Sequence, residues 1–127
     1  MKIRIGNADE VIGLRSKVLR PGLPLSASHF PCDEGPDCFH VVAEVEGRIV
    51  GVSTYHPEQA PTPIEASRPY RLRGMAVDPA FRRQHVAQRM LQEGERLLRE
   101  RGVDLLWFNA REVAFLFYER QGYLYHS

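Results

Sequence analysis

The apolar positions along this chain change period several times, and each change marks an element. Residues 2–5 alternate as a short strand does. Asn7 followed three residues later by Glu10 has the capping-box arrangement, and it opens a helix carrying Val11, Leu14, Val18 and Leu19 inward, stopped by Pro21 and Gly22. Residues 21–38 hold Pro21, Pro24, Pro31 and Pro36 and read as irregular. Phe39–Val45 and residues 49–55 are β-rich runs joined through Glu46-Gly47, a hairpin signal. Residues 56–69 contain four prolines and read as a loop. The run 70–77 reads as a strand with Arg71, Arg73 and Met75 on one face and Tyr70, Leu72 and Ala76 on the other, ended by Asp78-Pro79. From 84 to 101 an apolar stripe of Val86, Ala87, Met90, Leu91, Leu97 and Leu98, with Gly94 on it, predicts an amphipathic helix capped by Gly102. Leu105–Phe108 is a short buried strand, residues 112–121 a second helix closed by Gly122, and 123–125 the start of a last strand. An antiparallel hairpin followed by strand, helix, strand, helix implies an α/β domain: a mixed, mostly antiparallel sheet flanked by helices.

Composition narrows the class. A chain of 127 residues fits one domain, residues 1–127, and 43% hydrophobic content with a net charge of +1 excludes disorder. No apolar run approaches the ~18 residues of a membrane span. The opening MKIRIGNADE lacks the apolar core of a signal peptide, and two cysteines are too few for a disulfide scaffold. The expectation is a soluble, cytoplasmic protein with no membrane partner. Charge is uneven: residues 68–90 carry Arg68, Arg71, Arg73, Arg82, Arg83 and Arg89 against Asp78 alone. Of 17 basic residues all but Lys2 and Lys17 are arginine, which suits bidentate contacts with phosphate or carboxylate. A single basic block on a nearly neutral chain points to a small polyanion, not to nucleic acid.

That block straddles a strand-to-helix junction, where Asp78-Pro79-Ala80-Phe81 is followed by Arg82-Arg83-Gln84-His85-Val86-Ala87. The first helical N–H groups lack internal partners, so phosphate binds there readily, and Arg82 and Arg83 add to the attraction. The run RLRGMAVDPAFRRQHVAQRML resembles the acyl-CoA-binding motif of the GCN5-related N-acetyltransferase (GNAT) superfamily, a strand ending in Val-Asp-Pro before an Arg/Gln-x-x-Gly-x-Gly/Ala turn and a helix. LWFNAREVAFLFYERQGY resembles the family's later motif, and with VLRPGLPL and LRGMAV the wording is similar to a small bacterial subgroup of predicted acetyltransferases.

The resemblance implies an acyl-CoA N-acyltransferase-like fold and transfer of an acetyl group from acetyl-CoA to a primary amine, of a small molecule or a protein, by direct attack in a ternary complex. Under it, main-chain groups of Met75, Ala76 and Val77 pair with the pantetheine arm. Arg82, Arg83, Gln84, His85, Val86 and Ala87 cradle the pyrophosphate. Asn109 bonds the pantetheine amide, and Tyr118 protonates the leaving thiolate as general acid. No metal is implied.

Two positions depart from the family pattern. His85 stands where the turn's first glycine is expected, admissible on sequence grounds with a helical φ. The chain also stops at Ser127, short of the strand that relatives insert beside Leu105–Phe108, so the fold is expected to lack its last strand. A strand edge left open there argues for a homodimer through the C-terminal segment. The same departures motivate an alternative, a non-catalytic acyl-CoA-binding or structural domain. The acceptor pocket is expected from residues 20–38 and 56–69. Glu44, His56 and Glu58 are candidates for the base, unranked, and Ser53 for a substrate contact. His29, Cys32, Cys38 and His40 match no common zinc spacing.

Overall fold

The computed structural model describes residues 1–60 and 66–108. Five strands form one sheet in chain order: β1 (Lys2–Gly6), β2 (Phe39–Val45), β3 (Arg48–Pro57), β4 (Pro69–Val77) and β5 (Leu105–Phe108). The first four pair antiparallel in sequence, while β4 and β5 run parallel. A parallel pair needs a crossover, and helix α2 (Val86–Glu100) supplies it. Helix α1 (Ala8–Leu19) and a 3-10 turn, Leu25–Ser28, lie between β1 and β2.

Local chemistry accounts for the joints. The Asn7 side chain accepts from the Glu10 N–H at 3.0 Å while the Glu10 carboxylate accepts from the Asn7 N–H at 3.0 Å, so the capping box forms as expected. Between β2 and β3, Glu46 (φ 50°) and Gly47 (φ 78°) are both left-handed, the geometry of a two-residue hairpin whose twist matches its strands.

The helices cover opposite faces. Phe39, Val41, Tyr55 and Leu72 pack with Met90 and Leu91 of α2, and Val42, Val52 and Ala76 pack with Val11 and Leu14 of α1. Gly94 lets α2 approach the fully buried Tyr55, whose ring stacks on Phe39 at 4.9 Å. Ser53 lies in this core, donating to the Val41 carbonyl at 3.3 Å.

Four expectations are corrected. Leu19 closes the last turn of α1 and is 37% exposed, while Arg15 is buried on the sheet-facing side instead. The helix expected from residue 84 starts at Val86, because Arg83 (φ 66°) and His85 (φ 63°) are left-handed. For the same reason His85 does not take the helical φ that would have admitted it easily. In β4, Met75 joins Tyr70 and Leu72 in the α2-side core, and Ala76 faces α1. Gly74 (φ 60°) sits where the ladder with β3 shifts, between the Val52–Ala76 and Thr54–Arg73 pairs. One extra residue there moves everything after it to the other face. The expected helix 112–121 and strand 123–125, and with them the question of a last strand, lie outside the described residues. Among the described residues no helix is long and apolar enough to cross a membrane.

Candidate active site

The site is built on both ends of β4. At its C-terminal end Met75, Ala76 and Val77 lead into Asp78, whose side chain accepts from the Ala80 N–H at 2.9 Å and so caps the 3-10 turn Pro79–Phe81. Arg48 donates to the same carboxylate at 2.7 Å and Lys17 at 3.3 Å. The Ala80 N–H, then these two cations, hold Asp78 below the ordinary carboxylate range. The exit from β4 is thereby pinned.

The next six residues, Arg82 to Ala87, form the junction loop. Arg82, Arg83, Gln84 and His85 are exposed, and Val86 is buried as the anchor of the helix. His85 is the N-cap of α2 and makes no capping side-chain bond to the backbone. Its Nδ1 lies 3.1 Å from Oε1 of Gln88, so the imidazole folds back along the helix. Among the described residues the first-turn N–H groups have no side-chain acceptor, and they lie at the positive end of the helix dipole. Two left-handed residues in succession around Gln84 turn the backbone as glycines would. His85, at the position where the family motif carries glycine, thus has a φ that glycine takes freely.

The ladder between β4 and β5 runs from Pro69–Leu105 to Leu72–Phe108. Among the described residues that ladder does not reach Met75, Ala76 and Val77, which lie on the stretch of β4 that leads into the loop. Thus the structure brings Met75–Val77 and Arg82–Ala87 into one continuous run. Asn109 and Tyr118 lie outside the described residues, as does the C-terminal segment expected at a dimer interface.

The opposite end of β4 holds the polar groups. On the α1-side face Arg71 pairs in register with His56, and Arg73 with Thr54. Arg71 donates to Oε2 of Glu58 at 3.1 Å, and its guanidinium lies 4.9 Å from the Trp107 ring centre. Trp107 in turn donates from Nε1 to the Glu58 carbonyl at 2.8 Å. Phe30 overhangs this face, with the Arg73 guanidinium 4.6 Å and that of Arg15 3.9 Å from its ring centre. Arg15 is held by Asp33 through two bonds of 2.7 and 3.0 Å, by the Ser28 carbonyl and by Thr54 Oγ1. His40 spends both ring nitrogens, Nδ1 on Thr54 Oγ1 at 2.7 Å and Nε2 on the Asp33 carbonyl at 3.0 Å. Phe30 of segment 20–38 rests on Arg73, and Glu58 of segment 56–69 pairs with Arg71, so both segments reach β4 on this face.

This geometry ranks the base candidates. Glu44 is occupied by Arg4 at 2.8 Å on the β1–β2 side of the sheet, and Glu58 by Arg71. His56 is 6% exposed, with Nδ1 3.3 Å from the Pro57 carbonyl. A carbonyl accepts only, so Nδ1 carries the proton and Nε2 keeps its lone pair. Among the described residues that Nε2 is buried without a hydrogen-bond partner. Burial pushes His56 below the ordinary imidazole pKa, Glu58 opposes this, and Arg73 and Arg71 add to it. A neutral imidazole with a bare nitrogen is what a proton acceptor requires. Sequence reasoning missed Arg15, Asp33 and Thr54 as the scaffold of this face, and missed Arg73 as part of the pocket.

A mostly antiparallel sheet ending in a parallel pair joined by a helix, with helices on both faces, is the architecture of acyl-CoA acyltransferase folds. Solved structures agree. A GCN5-related N-acetyltransferase from Ralstonia eutropha JMP134 matches at a TM-score of 0.76 and 21% identity, over 97% of this chain and 92% of that one. A predicted acetyltransferase from Clostridium acetobutylicum, solved with acetyl-CoA, matches at 0.74 and 16%, over 97% and 89%. In sequence, the chain is 27% identical over 123 residues to the uncharacterized N-acetyltransferase YitI of Bacillus subtilis (strain 168), covering 97% of this chain and 82% of that protein. The model of the acetyltransferase (GNAT) family matches residues 15–123, and the chain belongs to that family. It is an acyltransferase of the GNAT type.

Proposed function

We propose that this protein transfers the acetyl group of acetyl-CoA to a primary amine by direct attack in a ternary complex. The observation that carries the reading is the segment Arg82–Ala87, in which Arg83 and His85 are left-handed, as glycines readily are, and His85 leads into α2 without a capping side-chain bond. Arg82 and Arg83 are exposed beside it, with no ion pair among the described residues to satisfy them.

In the reaction the amine nitrogen attacks the thioester carbonyl carbon, a C–N bond forms and the C–S bond breaks. One proton leaves the attacking nitrogen for a base, and one passes from Tyr118 to the departing thiolate. A tyrosine pKa of about 10 keeps that proton available at neutral pH. Main-chain groups of Met75, Ala76 and Val77 orient the pantetheine arm, with Asn109 on its amide, so that proximity supplies most of the rate. The reading carries with it a single domain over residues 1–127, working in the cytoplasm and pairing with a second copy through its C-terminal segment.

Thermal unfolding with and without acetyl-CoA tests the reading, because saturating a real site raises the melting temperature. Replacing both Arg82 and Arg83 by alanine is expected to weaken binding and flatten its salt dependence, since exposed cations act through screened attraction. No melting shift in the parent, or an unchanged affinity and salt slope in the double variant by calorimetry, refutes it.

A further inference from the structure

Most buried cations on the α1-side face have a counter-charge: Arg15 holds Asp33 in a bidentate pair, and Arg71 holds Glu58. Arg73 differs. Among the described residues it makes no ion pair and no hydrogen bond, its Nε is buried without a partner, and its guanidinium rests on the Phe30 ring. A guanidinium in that position has donors left for an anion, and a carboxylate is the group its fork fits best. The acyl-CoA phosphates do not reach it. From Arg73 to Val77 the strand runs roughly 13 Å at ~3.3 Å per residue, and the segment Arg82–Ala87 lies beyond.

A second orphan faces the same space. Among the described residues Nε2 of His56 has a lone pair and no hydrogen-bond partner, and Oε1 of Glu58 stands 3.6 Å from it. With His56 neutral, both of these atoms are acceptors with no hydrogen between them, so a donor is missing. His56 pairs in register with Arg71, which makes Arg73 its diagonal neighbour on one face, at a backbone separation of roughly 7–8 Å. With side chains reaching inward, a small molecule spans that gap. The charged groups facing His56 are Glu58 from its own strand end and Arg71 and Arg73 from β4. Cys32, from the overhanging segment, is also within electrostatic reach of Arg73.

We propose that Arg73, His56 and Glu58 form the acceptor subsite for a zwitterionic amine, an aminocarboxylate whose carboxylate binds the Arg73 guanidinium and whose ammonium donates to Nε2 of His56 and Oε1 of Glu58. The planar guanidinium fork suits a carboxylate, and Phe30 holds it in place. Two acceptors and one free cation match the two ends of an amino acid. The proposal rests on the acetyl-transfer reading above and names the substrate class of that site.

The test measures acetyl-CoA-dependent thiol release with the twenty amino acids, β-alanine and 4-aminobutyrate, against glycinamide and β-alaninamide as matched amines that lack the carboxylate. The parent is expected to favour an acid over its amide by roughly 10- to 100-fold in kcat/KM, the usual worth of a charge-assisted hydrogen bond. Arg73→Gln is expected to bring that ratio near one while acetyl-CoA affinity by calorimetry holds, and Arg73→Lys to restore part of it. His56→Ala is expected to lower kcat/KM for acid and amide together, because both carry the ammonium. Amides used as well as acids by the parent, or no turnover of any acid while acetyl-CoA binds, overturns the proposal and leaves acetyl transfer standing. Failure of acetyl-CoA to bind at all removes both.

Discussion

His85→Gly puts the phosphate turn to a stability test that does not depend on catalysis. At φ 63° the histidine is in the left-handed region, where a Cβ crowds the following carbonyl and costs about 1–2 kcal/mol relative to a residue without one. Glycine removes that strain. Against it stand the larger entropy of an unfolded chain with one more glycine, about 0.4–1 kcal/mol, and the exposed Nδ1–Gln88 contact, worth about 0.5 kcal/mol. The net is a gain of about 0.5 kcal/mol. For a domain of this size that raises the melting temperature by roughly 2 °C. His85→Ala keeps the Cβ and loses the contact with Gln88, so it is expected to fall below the parent. Urea unfolding of the three proteins at one pH reads the order directly. If His85→Gly is the least stable, the left-handed turn is not under strain, and its likeness to a glycine turn loses its physical basis. Because the imidazole points along the helix toward Gln88, its loss is also expected to leave acetyl-CoA binding intact or tighten it a few-fold.

Tyr118→Phe is expected to lower kcat by roughly 10- to 1,000-fold with acetyl-CoA affinity retained, the pattern of a lost general acid; full activity in steady-state assays removes Tyr118 from the mechanism. Gly94→Ala is expected to destabilise by about 1–3 kcal/mol in a denaturant titration, although alanine is the better helix former, because the new Cβ overlaps Cζ and Oη of a tyrosine with no room to move. Burial alone would raise the Asp33 carboxyl, but hydrogen bonds from Arg15 and the Phe30 N–H hold it below its ordinary value. A carboxylate depressed in the folded state stabilises above its unfolded pKa, near 4, and loses that contribution as pH falls through the folded value. Stability is therefore expected to drop on acidification below about pH 4, with a pH slope smaller by about one proton in Asp33→Ala than in the parent, and equal slopes refute the assignment.

The elements that could be read in the sequence are those whose determinants lie close together along it. The Asn7–Glu10 box, the Glu46-Gly47 turn and the stripe of α2 each sit within a few turns of backbone, and each forms where expected. Arg15 escaped because its reason for burial is eighteen residues away, in a segment with no period at all. It lies four residues after Val11 on the inward side of α1, the position an apolar residue would take, and only the pair with Asp33 makes a cation tolerable there. The face error in β4 had a local cue, a glycine inside a strand, which often marks a bulge. The base candidates were legible as residue types and not as a ranking. What separates His56 from Glu44 is a neighbouring strand and a backbone carbonyl, and neither shows in spacing.

Gly74 connects the two halves of the site. Without the bulge at its left-handed backbone, Met75 would share a face with Arg71 and Arg73, and the apolar residue would fill the pocket now left to cations. With it, the run before Gly74 presents arginines to the α1-side face, and the run after it turns Met75 and Val77 into the core beneath the phosphate loop. The same glycine has no room for a side chain: a Cβ there would stand 2.8 Å from Nε of Arg15 and 3.0 Å from the Phe30 ring. Arg15 fixes Asp33, Asp33 accepts from the Phe30 N–H at 2.8 Å, and Phe30 carries the guanidinium of Arg73. A chain of contacts therefore runs from the strand defect to the proposed acceptor cation. The buried Arg15–Asp33 pair contributes little net stability of its own kind. Its consequence is positional: it holds Phe30 over the sheet at the one point where the bulge opens space for it, and so sets where an acceptor's negative end is met.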